Sequence, residues 1–178
     1  VYQGSSALKL TRSTVDTTGT WISVVSDKFG GYVPGETYTF SAYVSVPENI
    51  PGDPGAYLRL QCFTDEGQRV SNVDSNSVSY SSGWERVSGT TTIPSTADYC
   101  TLAMAIGSDS PIHEHPPQGS QAYFDNLQVE RGNSASSFEE ASCYYDYDVK
   151  GRLRSKTCGD DVTTLDYNVL GQLVSVEK

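Results

Sequence analysis

Apolar and polar residues alternate one for one through Tyr38–Val46. Tyr38, Phe40, Ala42, Val44 and Val46 fall on one face, and Thr39, Ser41, Tyr43 and Ser45 on the other. Successive side chains of a strand point to opposite faces, so this pattern suits a half-buried strand and gives a helix no single apolar stripe. Tyr57–Phe63 repeats it, with Leu58, Leu60 and Cys62 on the core side and Tyr57, Arg59, Gln61 and Phe63 on the other. Shorter runs of the same kind lie at Ala7–Thr11, Trp21–Val25, Glu85–Ile93, Tyr99–Ile106 and Gln121–Glu130. Turn formers separate them: Gly30-Gly31, Pro34-Gly35, Pro51–Gly55, Asp65–Gly67, Ser81–Gly83 and Pro116-Pro117. No stretch shows helical periodicity with caps. Many short strands with regular turns predict an all-β chain folded as a sandwich or barrel.

Composition agrees. The 178 residues include 24 serines, 16 threonines and 12 tyrosines, and only 19% are charged. Such a chain is polar without being a helix former, and its Thr, Val and Tyr suit pleated surfaces. The net charge of −10 is a poor match for nucleic acid phosphates or anionic membranes. No apolar run is long enough for a transmembrane helix, and no basic n-region with an apolar h-region is visible at the start of the chain. With Val1 first and its one methionine at Met104, the chain reads as an excised piece of a longer protein.

The C-terminal segment is organised differently. Tyr147, Val149, Gly151 and Leu153 recur as Tyr167, Val169, Gly171 and Leu173, a constant offset of 20 residues. A fixed period of this size marks a repeat, here of two hairpins with glycine in the turn. Charge divides at the same place: residues 1–140 carry −9 of the net charge and residues 141–178 carry −1. The expected domains are therefore 1–141, a sandwich, and 142–178, the two hairpins.

Four cysteines allow three pairings, and none forms a C-x-x-C. Cys143 and Cys158 flank the first hairpin. A two-residue turn at Lys150-Gly151 sets them opposite each other, and a three-residue loop with a glycine bulge leaves them diagonal. A Cys143–Cys158 disulfide is the favoured pairing and suits a secreted chain. Cys62 and Cys100 are read either as a second bridge or as two buried thiols.

Carbohydrate recognition needs flat aromatic platforms for the C–H faces of sugars, with polar groups beside them for hydroxyls. Tyr43, Tyr57, Arg59 and Gln61 share the non-core parity of their strands and would form one patch if those strands were neighbours. Trp21, Tyr32, Tyr80 and Trp84 could add to it. His113-Glu114-His115 has the spacing to clamp a metal from a strand, but its prolines and the lack of a third ligand favour a solvated loop. No nucleophile elbow, phosphate loop or opposed carboxylate pair points to catalysis, so no catalytic residue is assigned.

Two resemblances extend this reading. Tyr145-Asp146-Tyr147-Asp148-x-x-Gly151-Arg152-Leu153 resembles the YD repeat of Rhs, teneurin and wall-associated proteins, with departures at Asn168 and Gln172 in the second copy. The segments Gly4–Leu10, Val33–Val44, Trp84–Ser88 and Ala122–Gly132 resemble jelly-roll carbohydrate-binding modules of the type appended to xylanases. Together they imply a jelly-roll β-sandwich followed by hairpins of a YD-repeat array in a large secreted or cell-surface protein. The implied role is non-catalytic binding of a polysaccharide or cell-surface glycan. The competing role is a structural cap or plug of an Rhs-type β-shell with no sugar ligand. The second resemblance also implies a structural Ca²⁺, with Asp125 in the matching position and carbonyls from Gly4–Ser6. The rest of the parent chain is the other implied partner; nucleic acid and membrane insertion are not.

Overall fold

A computed structural model describes the chain except residues 3–5, 14–20, 51–54, 108–115, 138–142, 149–151, 159–160, 169 and 178. The described residues form strands and no helix, in two compact units, Val1–Ser136 and Ser137–Lys178.

The first unit holds β1 (Leu8–Thr11), β2 (Trp21–Val25), β3 (Thr37–Ser45), β4 (Ala56–Phe63), β5 (Arg69–Asp74), β6 (Glu85–Thr92), β7 (Tyr99–Gly107) and β8 (Gln121–Arg131). One antiparallel sheet has the order β1-β8-β3-β6 and the other β2-β7-β4-β5. Consecutive strands therefore often cross from one sheet to the other, as in a jelly roll, where two such sheets pack face to face. The alternation explains the packing. Phe40, Ala42 and Val44 of β3, Leu58, Leu60 and Cys62 of β4, Val87 of β6 and Leu102, Met104 and Ile106 of β7 form one core between the sheets. Thr39 and Ser41, on the outer side of β3, are buried too, so the first sheet is covered there as well.

Two local features shape the sandwich. Asn126 has a φ of 51° and sits at a register shift where β8 passes Ser41–Tyr43 of β3. Asparagine is among the few side chains that enter this region readily, and the extra residue forms a β-bulge. The bulge moves the inward apolar positions of β8 from Ala122 and Phe124 to Leu127 and Val129. The second feature is a disulfide between Cys62 of β4 and Cys100 of β7, which stand opposite each other in the ladder. Of the two readings open for this pair, the bridge is the one formed.

The second unit is a single antiparallel sheet of β9 (Cys143–Tyr147), β10 (Leu153–Cys158), β11 (Asp161–Tyr167) and β12 (Leu173–Glu177), in chain order. Two of its connections repeat one turn design. Asp148 donates its N–H to the Arg152 carbonyl at 2.8 Å, and its carboxylate accepts from the Arg152 backbone at 3.0 Å and from Nε at 2.6 Å. Twenty residues on, Asn168 donates to the Gln172 carbonyl, and its Oδ1 accepts from the Gln172 backbone, both at 3.0 Å. The two departures of the second copy thus replace a carboxylate–guanidinium pair with an amide–amide pair. Leu153 pairs with Tyr147, and after a bulge the register runs Ser155 with Asp146 to Cys158 with Cys143. The bulge sits beside the turn, and the two cysteines are direct cross-strand partners; their side chains lie outside the described residues.

Candidate functional site

The four residues expected on one patch are divided between the two sheets. Tyr43 lies on the outer side of β3 in the first sheet. Tyr57, Arg59 and Gln61 lie on the outer side of β4 in the second sheet, which faces the opposite way. The reason is the jelly-roll crossover: β3 and β4 follow each other in sequence but not in a sheet. Tyr57 is 0% exposed and Arg59 5%, so neither offers an open platform.

Around Arg59 the second sheet carries a closed polar and aromatic cluster. The guanidinium makes a paired contact with Asp74 of β5, Nε to Oδ1 at 2.6 Å and Nη2 to Oδ2 at 2.8 Å. Its carbon lies 5.0 Å from the Trp21 ring centre and 5.5 Å from that of Tyr57. A planar cation between aromatic rings and a carboxylate is held in one orientation. Beside it, Gln61 donates to Asn72 at 3.2 Å. Each partner here already has its contact within the protein.

The first sheet presents a different surface. Tyr43 and Asp125 are cross-strand partners, and Tyr43 is also paired with Arg86 of β6. The residues read separately as platform and metal ligand therefore stand side by side. Arg86 donates to Ser41 at 3.0 Å and to Gln128 at 3.1 Å, and its guanidinium lies 5.6 Å from the Tyr43 ring centre. It also donates to the Ser136 carbonyl. Ser136 in turn donates its N–H to Glu130 at 2.8 Å, which ties the end of the first unit to this face. Beyond its parity on β6, Arg86 is marked in the sequence only by its place in the Trp84–Ser88 segment.

On Tyr43 lies the ring of Tyr2. The ring centres are 3.6 Å apart and the planes 12° apart, and Trp84 meets the Tyr2 ring edge-on at 6.3 Å. The Tyr2 backbone N–H donates to Asp125 Oδ2 at 2.7 Å. The Tyr2 phenol is held above its ordinary range, chiefly by its hydrogen bond with Tyr43. Tyr2 itself remains 40% exposed.

The other carboxylate oxygen of Asp125 accepts from the Asn126 N–H at 2.8 Å, so this side chain fastens the bulge. Calcium needs six to eight oxygens, several of them carboxylates. The described residues contain no group of three acidic, His or Cys side chains that could hold a metal. Asp125 does not by itself make a calcium site; Gly4 and Ser5 lie outside the described residues. His113, Glu114 and His115 lie outside them as well. Tyr80 is exposed, and Tyr32 packs edge-on against Tyr38.

No protein-family model matches the sequence, the hairpin repeat included. No curated protein matches it either. Solved structures do share the fold. A family 16 carbohydrate-binding module is 14% identical, with a TM-score of 0.50 over 73% of this chain and 79% of its own. The enzymatically active domain of tailspike protein 4 of bacteriophage CBA120 is 9% identical, with a TM-score of 0.51 over 70% of this chain. This chain spans 15% of that tailspike chain. At these identities the likeness is one of fold. The repeat of residues 145–173 stands as an internal repeat of this chain, without support for the YD family from these comparisons.

Proposed function

We propose that the sandwich is a non-catalytic glycan-binding module whose ligand lies on the outer face of the first sheet, over Tyr43. One observation carries this reading: that face already holds a flat ring. The Tyr2 ring stacks on Tyr43 at 3.6 Å while an N–H beside it donates to Asp125. A pyranose makes the same two demands, a C–H face for an aromatic ring and a hydroxyl for a carboxylate. Trp84 walls one side, and Arg86 and Gln128 supply further polar groups. The fold shared with a carbohydrate-binding module supports the reading. The Cys62–Cys100 bridge supports an extracellular setting, because disulfides persist in oxidising compartments.

Binding then requires the ligand to displace Tyr2. On a glycan array, Tyr2→Ala should raise the signal of every hit, and Tyr43→Ala should abolish it. The array should be insensitive to salt, since stacking and neutral hydroxyl contacts carry the affinity. A second reading, a structural spacer with no sugar ligand, is favoured by the burial of Tyr57 and the covering of Tyr43. A blank array for both the natural chain and Tyr2→Ala would establish it.

A further inference from the structure

We propose that a cavity between the two sheets, at the end where β3 begins, binds a small neutral aromatic molecule carrying one hydrogen-bond acceptor. The site opens to solvent at the margin of the sandwich, away from Tyr43, and does not depend on the glycan reading of the outer face.

The cavity has a volume of about 180 Å³ and is walled by Phe29, Tyr32, Tyr38, Leu60, Ile93 and Val129. An apolar cavity of about 150 Å³ is enough to take up benzene. Three of the walls are aromatic, and Tyr32 and Tyr38 meet edge-on at 6.4 Å and 77°, an arrangement open to a further ring. A neighbouring opening of about 240 Å³ shares Phe29 and Val129 and is lined by Leu102 and Leu127, which leaves room for a substituent. The β8 bulge creates this space. It turns Leu127 and Val129 toward the gap at the margin of the sandwich, where both remain partly exposed.

The polar requirement comes from the two phenols. The Tyr38 oxygen accepts from the Val33 N–H at 2.8 Å. The Tyr32 hydroxyl is buried and has no hydrogen-bond partner among the described residues. A buried donor of this kind needs an acceptor, and the carbonyl oxygen of a ligand in the cavity would supply one. Burial, and then the charge of Asp98, push the Tyr32 phenol above its ordinary range, so it stays a donor at neutral pH. The same Asp98 charge disfavours an anion.

The full chain can be titrated with acetophenone while the methyl signals of Leu60, Ile93 and Val129 are followed by NMR. Saturable shifts at these methyls are expected. α-Methylstyrene has the same shape without the carbonyl oxygen and should bind roughly five-fold more weakly. Tyr32→Phe should remove that difference and leave the fold intact. Val129→Phe, which fills the cavity from its exposed side, should remove the shifts, and benzoate should produce none. The proposal is overturned if acetophenone gives no saturable shift at the three methyls. It is also overturned if α-methylstyrene binds as well as acetophenone, or if the preference survives in Tyr32→Phe.

Discussion

At Gly89 the side chain is one hydrogen, and the Phe40 ring occupies the space where a Cβ would stand. An ideal Cβ there would lie 2.3 Å from Phe40 Cζ. The two residues are cross-strand partners in β3 and β6, and Phe40 is fully buried in the core. Gly89→Ala must therefore move a ring that has nowhere to go. Overpacking of this kind costs about 1–3 kcal/mol. Urea unfolding should show a lower midpoint with an unchanged slope, and a variant as stable as the natural chain would mean that the ring relocates freely. The parity of β6 shows that position 89 faces inward, but not that a ring lies across it, because the partner strand is distant in sequence. Tyr32 makes a second residue-scale prediction. Its phenol is raised above the ordinary 10.0, first by burial. Below that pH the Tyr32 phenol is neutral in both the folded and the unfolded chain and its full contribution to stability holds. As pH rises past it the unfolded chain ionises first, so stability falls until the folded-state value is passed. Thermal melts taken on either side of that pH should lose less stability in Tyr32→Phe than in the natural chain.

At the scale of elements, strands were readable wherever one face is buried, because burial forces alternation. β3 and β4 show it plainly in sequence, whereas Leu102–Ile106 of β7 is an unbroken apolar run buried on both faces. β5 lacks this alternation signal. It is an edge strand, Arg69–Asp74, with exposed Arg69, Asn72 and Asp74, so little of it needs to be apolar. Which sheet each strand joins was not legible, since parity is a property of one strand and the crossover between β3 and β4 belongs to the connection. That is why parity alone groups Tyr43 with Tyr57, Arg59 and Gln61. The Cys62–Cys100 bridge is a pairing of elements, β4 with β7, across 38 residues of sequence. Closing a loop of that length in the unfolded chain stabilises the fold by about 3–4 kcal/mol in the entropic account. Replacing both cysteines with alanine should lower the melting temperature clearly and leave the far-ultraviolet spectrum all-β at low temperature. An unchanged melting temperature would show that native packing alone fixes this pair of strands. The bulge on β8 is a third element. Asn126→Val places a β-branched residue at a positive φ and should cost about 1–2 kcal/mol, whereas Asn126→Gly should be close to neutral. If EDTA leaves the melting temperature of the natural chain in place, the fastening of the bulge by Asp125 needs no metal.

At the scale of the whole chain, the two units differ in how they satisfy their apolar surface. The first encloses it between two sheets. The second is one sheet, and on β12 Leu173, Val174 and Val176 are each at least half exposed, as is Leu170 in the turn before it. Leu173 and Val176 pair with Tyr167 and Leu165 across a register shift, so they share one face, and that face of β12 is uncovered. An isolated sheet of this size without a packed face is marginal in water. Ser136, by contrast, is bound to Arg86, Gln128 and Glu130 and closes the first unit. A chain ending at Ser136 should therefore fold with the cooperativity and melting temperature of the full chain. A peptide of residues 137–178 should give no cooperative transition when studied alone. The repeat was visible because two turns solve one problem with matched pairs, Asp148 with Arg152 and Asn168 with Gln172, at a constant spacing. What covers that sheet cannot be encoded in so short a repeat, because a hairpin pattern specifies its own turn and register but not a partner. Should the peptide melt cooperatively by itself, the hairpins would be a self-sufficient domain rather than a sheet that depends on added contacts.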